Sequence, residues 1–323
     1  MVTILKRIPA EILIAGGMLI SLLLLSVIFH LPIVYPSRQA VALVGVHYVY
    51  PLFGVAILGF VTAVGGQHGV FGRLMLAAAC YIVVLFAHFN IKLWIPHINP
   101  YLYDDFYWRI DNLVRPLVQA CFAIRGWLSF IIPLDSMFYM SGFIMLFYVS
   151  FLYHAIRTPN EFGRLVVAVL VLQSLGSFAY LVAPGLGPFI YEPGRNVTLT
   201  NLQMEMFEFY QQSVAHGPQW LEQYGGAHFV GGVAAMPSLH SAGAFLFFLF
   251  AWRYAKPLVP IYGFVLFFIV VGAVSSRWHY VVDVPAGLAL AWISCWIAER
   301  WCPTEEAVLP LRFHGVPAAV PAE

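Results

Sequence analysis

The chain has 323 residues, of which 61% are hydrophobic and only 10% charged, and its mean hydropathy is +0.83. A soluble domain carries about a quarter of its residues as charges, so this composition excludes an ordinary water-soluble globule and points to an integral membrane protein. The formal net charge of +1 gives no electrostatic ground for a nucleic-acid partner. The four cysteines, Cys80, Cys121, Cys295 and Cys302, show neither metal-ligand spacing nor a disulfide framework.

Apolar runs long enough to cross a bilayer are predicted at 11–32, 46–64, 73–95, 136–156, 164–183, 237–254, 259–275 and 281–299, about eight helices in all. The expected fold class is an all-α polytopic membrane protein, with residues 1–323 forming one domain. Lys6 and Arg7 precede the first run as they would in a signal peptide, but no small-residue cleavage site follows closely, so a retained helix is expected. Arg73, Arg157, Arg164, Arg253 and Lys256 fall in short connections on one side, which the excess of Lys and Arg makes cytoplasmic together with both termini. A plasma or inner membrane is the expected location.

Two long stretches do not span. The first, 97–135, is aromatic and acidic, and its Asp104, Asp105 and Asp111 are candidates for binding a polyol headgroup such as inositol. The plain alternative is a solvated interfacial helix with Arg109 and Arg115 as ion partners. Further on, Val114, Leu117, Val118, Cys121 and Phe122 recur at helical spacing, which predicts an amphipathic helix lying in the interface. The second stretch, 185–236, is an extracytoplasmic loop following the helix stop Pro184-Gly185-Leu186-Gly187-Pro188. In it Gly225-Gly226 and Gly231-Gly232 flank His228, a segment able to flex as a lid, and Asn196-Val197-Thr198 fits a glycosylation sequon to which no weight is given. A short Pro/Ala-rich tail closes the chain within 300–323.

Two segments within 231–288 carry chemistry. Ala235-Met236-Pro237-Ser238-Leu239-His240-Ser241 and Trp278-His279-Tyr280-Val281-Val282-Asp283-Val284 each put a histidine at the mouth of an apolar run. Parity of the spans brings both to the same, extracytoplasmic, face. Pro237 is expected as the first helical residue, leaving the N–H groups of Ser238, Leu239 and His240 free to receive an anion. His279 and Asp283 stand four apart, so on a helix they share a face and the carboxylate can orient the imidazole. A His–Asp pair that only anchors the helix, and a metal site, are the competing readings of that spacing; no metal and no cofactor is expected.

These two segments resemble the second and third signatures of the type 2 phosphatidate phosphatase superfamily. Leu239 before His240 and the compact His279-to-Asp283 run are closer to its inositol phosphorylceramide synthase branch and the sphingomyelin synthase relatives. The resemblance implies a six-helix catalytic bundle with two extra N-terminal helices. It implies His279 as the nucleophile forming a phosphohistidine, Asp283 as its orienter, His240 as the acid and base, and Ser238 as a donor to a phosphoryl oxygen. The cation that holds phosphate is left open, because Ser276-Arg277 lies only two residues before His279 and the one Arg-Pro pair, Arg115-Pro116, comes far upstream. Arg277 and Arg195 are the candidates best placed by sequence, with Arg115 third.

The expected function is transfer of a phosphorylated headgroup, such as phosphoinositol, from a phospholipid donor to a lipid or polyol hydroxyl. A lipid phosphate or polyprenyl diphosphate phosphatase is the alternative among enzymes. A phospholipid transporter is the alternative outside them, disfavoured by the lack of an inverted repeat. Among the remaining histidines, His88 in the third span is expected to be a hydrogen-bonded interior residue.

Overall fold

The computed structural model describes residues 8–37, 50–66, 68–131, 135–229 and 234–302. Gly231 and Gly232, expected to flank a lid, and the tail beyond residue 302 lie outside the described residues. The helices are α1 (Ala10–Phe29), α2 (Tyr50–Val64), α3 (His68–Ile98), α4 (Asp104–Leu113), α5 (Arg115–Ile131), α6 (Asp135–Arg157), α7 (Pro159–Val182), α8 (Val197–His216), α9 (Pro218–Tyr224), α10 (Leu239–Tyr254), α11 (Val259–Ser275) and α12 (Asp283–Trp301). Among the described residues there is no strand.

Five segments are long and apolar enough to cross a membrane: Ala10–Phe29, Gly69–Ile98, Phe138–Arg157, Pro159–Val182 and Lys256–Ser275. The three other expected spans fall on α2, with 15 residues, α10, with 16, and α12, whose ends carry Asp283, Glu299 and Arg300. The all-α polytopic membrane fold stands. Its outward faces are apolar, with Val27 71%, Ile28 63% and Val182 73% exposed, as a helix surrounded by lipid requires.

The bundle is organised around α7, which packs against α1, α3, α6, α10 and α12. Pro159 opens it in the first turn, where a missing N–H is harmless. Leu165, Val167, Ala168 and Leu170 are all fully buried along it. At its start the bundle is polar and cationic: Arg73 donates to the Pro159 carbonyl at 3.1 Å, Arg164 pairs with Glu161 at 3.0 Å, and Arg253 pairs with Glu299. The chain directions of α3, α7, α10, α11 and α12 put both histidine motifs at the other end.

The first non-spanning stretch is helical over α4 and α5, as the spacing of Val114 to Phe122 predicts for the latter. Val118, Cys121 and Phe122 pack with Val271, Val274 and Val284, and Arg125 lies over the Phe268 ring at 4.3 Å, so α5 packs on the second half of α11. The 185–236 loop is largely helical, forming α8 and α9. Asn196 caps α8 by accepting from the Leu199 N–H at 3.1 Å, which gives the sequon-like triplet a local structural use.

The first motif begins one residue pair later than expected. Ser238, not Met236, is the N-cap of α10, and Pro237 precedes the helix. Gly287 on α12 lies so close that a Cβ there would collide with the Ser238 carbonyl oxygen. This contact lets the start of α10 and the first turn of α12 share one narrow site. Gly287→Ala is expected to lower thermal stability by about 1–3 kcal/mol through overpacking and to reduce turnover with it. A thermal-shift series in detergent checks the first effect.

Candidate active site

The second motif is a turn of seven residues, 276–282, between α11 and α12. Its strained point is Arg277, at φ +61°, a left-handed conformation that costs a non-glycine residue about 1–2 kcal/mol. That backbone sends the arginine side chain away from the helix ends and into full burial. There Nη1 donates to Asp111 at 3.1 Å, Nη2 lies 3.4 Å from Glu192, and the guanidinium sits 5.4 Å from the Trp108 ring. The turn is held from every side. The Val281 N–H donates to the other Asp111 oxygen at 2.8 Å, the Phe189 N–H donates to the Arg277 carbonyl at 3.2 Å, and Gln203 donates to the Ser276 carbonyl at 2.9 Å.

This rigid turn aims His279. Its Nδ1 lies 2.7 Å from the Ala235 carbonyl and 3.3 Å from Asp283 Oδ2. Both partners are acceptors, so in the neutral ring the proton sits on Nδ1 and the lone pair on Nε2. Among the described residues, Nε2 has no hydrogen-bond partner. Asp283 opens α12, is fully buried, and accepts at Oδ2 from the Tyr280 N–H at 2.8 Å. Its Oδ1 has no partner.

The two motifs are stitched together by backbone. The Ser238 N–H donates to the Asp283 carbonyl at 3.0 Å, and the Ala235 N–H donates to the Gly185 carbonyl at 2.8 Å. The first of these bonds corrects the expectation that the Ser238 N–H is free for an anion. His240, one residue into α10, is half-buried, with the Phe143 ring at 5.0 Å and the Tyr139 ring at 5.6 Å. The expected trio of His240, His279 and Asp283 therefore meets at one end of the bundle.

Most of the expected substrate contacts do not join it. Ser238 is fully buried and its hydroxyl donates to Ser241 at 3.0 Å. Arg277 bonds Asp111 through Nη1 and lies 3.4 Å from Glu192, while its Nε and Nη2 make no hydrogen bond among the described residues. Arg195 is exposed and lies 4.8 Å over Phe122, and Arg115 makes a two-point pair with Glu192 at 2.7 and 2.5 Å. Asp104 is 3% exposed and accepts from the Leu186 N–H, the Gly187 N–H and the Tyr280 hydroxyl, all within 3.0 Å. Asp111 is fully buried in the turn. These two carboxylates serve the protein's own donors and not a headgroup. Asp105 alone stays exposed, accepting from Tyr191.

Two contributors escaped the sequence reading. The Ala235 carbonyl has no side-chain signature. Ser177 on α7 takes the Nδ1 contact of His88 at 2.8 Å, the bond expected of that interior histidine. No three of His, Cys, Asp and Glu converge on a metal-sized point among the described residues.

Charge is balanced unevenly around the turn. The Arg115 hydrogen bond holds the Glu192 carboxyl below its ordinary range. Burial raises Asp111, and the Val281 N–H and Arg277 oppose that rise. A carboxyl depressed in the folded state contributes stability that is present above its unfolded value and lost as pH falls through the folded one. The melting-temperature gap between wild type and Glu192→Gln is therefore expected to be widest near neutrality and to close on acidification through the carboxylate range. Asp111→Ala leaves Arg277 buried with one partner fewer and is expected to cost about 3–5 kcal/mol, visible as a large fall in melting temperature without substrate. A headgroup contact at Asp111 would instead alter KM and leave stability unchanged.

No curated protein and no solved structure matches the chain significantly. Residues 112–297, more than half of the chain, match the PAP2 superfamily. The matched region holds both histidine motifs, α5 to α11 and most of α12, and leaves out α1 to α3 and nearly all of α4. The match is to the superfamily as a whole and does not single out the inositol phosphorylceramide synthase branch. With its apolar helices, its facing histidines and this match, the chain belongs to the PAP2 superfamily of lipid phosphatases and phosphotransferases.

Proposed function

We propose that the protein is a membrane lipid phosphotransferase working through a phosphohistidine on His279. The observation that carries this reading is the His279 imidazole itself, with Nδ1 held by the Ala235 carbonyl and the Asp283 carboxylate and Nε2 left open. In the first step the Nε2 lone pair attacks phosphorus, the bond from phosphorus to the donor's leaving oxygen breaks, and His240 gives that oxygen a proton. In the second step His240 takes the proton of an acceptor hydroxyl, whose oxygen attacks phosphorus and breaks the P–N bond, restoring His279. Asp283 stabilises the imidazolium that forms.

Transfer is preferred to hydrolysis because His240 sits against the Tyr139 and Phe143 rings, an apolar setting that favours a lipid hydroxyl over water. With Asp104 and Asp111 committed internally, the acidic ground for a phosphoinositol headgroup is reduced to Asp105. Leu239 and the compact His279–Asp283 spacing remain the support for a synthase-like branch. The cationic end of the bundle supports an extracytoplasmic site through the positive-inside rule.

The decisive assay incubates purified protein in detergent with a fluorescent phospholipid and candidate lipid or polyol acceptors, and reads products by mass spectrometry. A labelled lipid alcohol together with an acceptor heavier by the phosphoryl headgroup supports transfer. A labelled lipid alcohol with only the water-soluble phosphate released moves the reading to the phosphatase, and no turnover of any phospholipid moves it to the transporter. His279→Ala is expected to abolish turnover and the acid-labile phosphoenzyme. Asp283→Asn is expected to cost on the order of 10²-fold, short of the 10⁴-fold of a serine protease triad, because the Ala235 carbonyl still fixes the tautomer. Activity is expected to persist in excess EDTA; its loss, with recovery on adding Mg²⁺, would point to a metal-dependent mechanism.

A further inference from the structure

The nearest acceptor of the His279 Nδ1 is the Ala235 backbone carbonyl, at 2.7 Å against 3.3 Å for Asp283. A backbone carbonyl fixes a tautomer only as firmly as its own segment is held. Ala235 lies in the irregular stretch before α10, so no helix holds it. Its N–H donates to the Gly185 carbonyl at 2.8 Å, and Gly185 belongs to a second irregular stretch, 184–187. The aim of the His279 imidazole therefore depends on whatever anchors residues 184–187.

That anchor is Asp104, the first residue of α4. The Leu186 and Gly187 N–H groups, which directly follow Gly185, both donate to its carboxylate at 2.9 Å. Gly185 itself lies close, since a Cβ there would meet the Tyr107 ring at 3.2 Å and Asp104 Oδ1 at 3.6 Å. The Tyr103 N–H adds a bond to the Pro184 carbonyl at 2.9 Å. From the other side, the Tyr280 hydroxyl donates to Asp104 Oδ1 at 2.7 Å. Tyr280 follows His279 in the chain, and its N–H donates to Asp283. Asp104 thus closes a circuit that runs through Gly185, Ala235, His279 and Tyr280 and returns to the same carboxylate. It is only 3% exposed, so bulk water does not compete for these bonds.

We propose that Asp104 is a positioning residue for His279, holding the Ala235 carbonyl against Nδ1 in parallel with Asp283. This role rests on the phosphohistidine reading above, and it comes from a residue outside 112–297, the segment that matches the superfamily. Two carboxylates then guard one proton, Asp283 directly and Asp104 through the 184–187 turn and Ala235. With either in place, Nε2 keeps the lone pair that attacks phosphorus. With both gone, the ring takes up the tautomer whose proton sits on Nε2, and that form cannot attack.

The test is a double-mutant cycle on full-length protein in detergent, with fluorescent phosphatidate as substrate. Asp104→Ala alone is expected to lower kcat about 10-fold with KM unchanged, the scale of a small misplacement caused from a distance. Asp104→Asn, which keeps one accepting oxygen, is expected to recover part of that loss. Beside Asp283→Asn, Asp104→Ala is expected to cost about 10²-fold more, which brings the pair to the roughly 10⁴-fold loss of a triad in the wrong tautomer. Equal costs in the two backgrounds would overturn the proposal, because a carboxylate that only stabilises the fold acts independently of Asp283. A raised KM with unchanged kcat would overturn it too, as a headgroup contact. Nitrogen-15 histidine NMR reads the cause: the Nδ1–H tautomer of His279 is expected in wild type and in each single variant, and a mixture in the double. An unchanged tautomer in the double variant counts against the role. Where Asp104→Ala does not fold, Asp104→Asn takes its place, with a loss expected to be larger beside Asp283→Asn than alone; equal losses overturn the proposal. Wild type that turns over no lipid phosphate refutes the phosphohistidine reading instead, and the tautomer measurement still decides whether Asp104 holds His279.

Discussion

A charged arginine buried in an apolar bundle is the constraint on which the rest of this site depends. Arg277 adopts a left-handed backbone and is completely enclosed, and burial works against its charge while Asp111 and Glu192 restore it. Its partners come from distant parts of the chain, Asp111 from α4 and Glu192 from the segment leading into α8. Removing the charge from either side would leave the other unpaired in a low dielectric. The pair therefore ties α4, the 185–196 segment and the turn after α11 into one rigid piece, and His279 inherits that rigidity two residues later.

The second organising element is α7. It touches α1 and α3 as well as α10 and α12, the helices that follow the two histidine motifs, so it transmits position between a region outside the superfamily match and the motifs inside it. Ser177 and Gly176 show how. One accepts or donates at His88, and the other lets Leu239 approach. Small residues at these two points allow helices to come close, in keeping with membrane bundles, where close packing and interhelical hydrogen bonds replace the hydrophobic effect.

The aspartates illustrate why chemical suitability is not location. Asp104, Asp105 and Asp111 lie within eight residues on one short helix, and by composition each could meet a polyol. The helix turns Asp104 and Asp111 inward, toward the backbone donors of Leu186, Gly187 and Val281, and Asp105 outward. Irregular backbone near the membrane needs acceptors for its N–H groups. Two of the three carboxylates fill that need.

Much of this protein was legible in its sequence. Composition alone required a membrane, apolar runs located the principal helices, and the four-residue step from His279 to Asp283 forced the two side chains together because the α12 start is a local structure. Charge in the short connections gives an expectation of which end faces the cytoplasm. What sequence could not decide was whatever depended on a direction in space or on contacts across many residues. The neighbourhood of Arg277 to His279 in sequence suggested a shared ligand, yet a single left-handed φ turned the guanidinium to Asp111, 166 residues away. The Ala235 carbonyl, with no side chain to advertise it, became the nearest partner of the His279 Nδ1. Local periodicity is encoded residue by residue, whereas the aim of a side chain is set by backbone torsions and by neighbours that the linear order does not reveal.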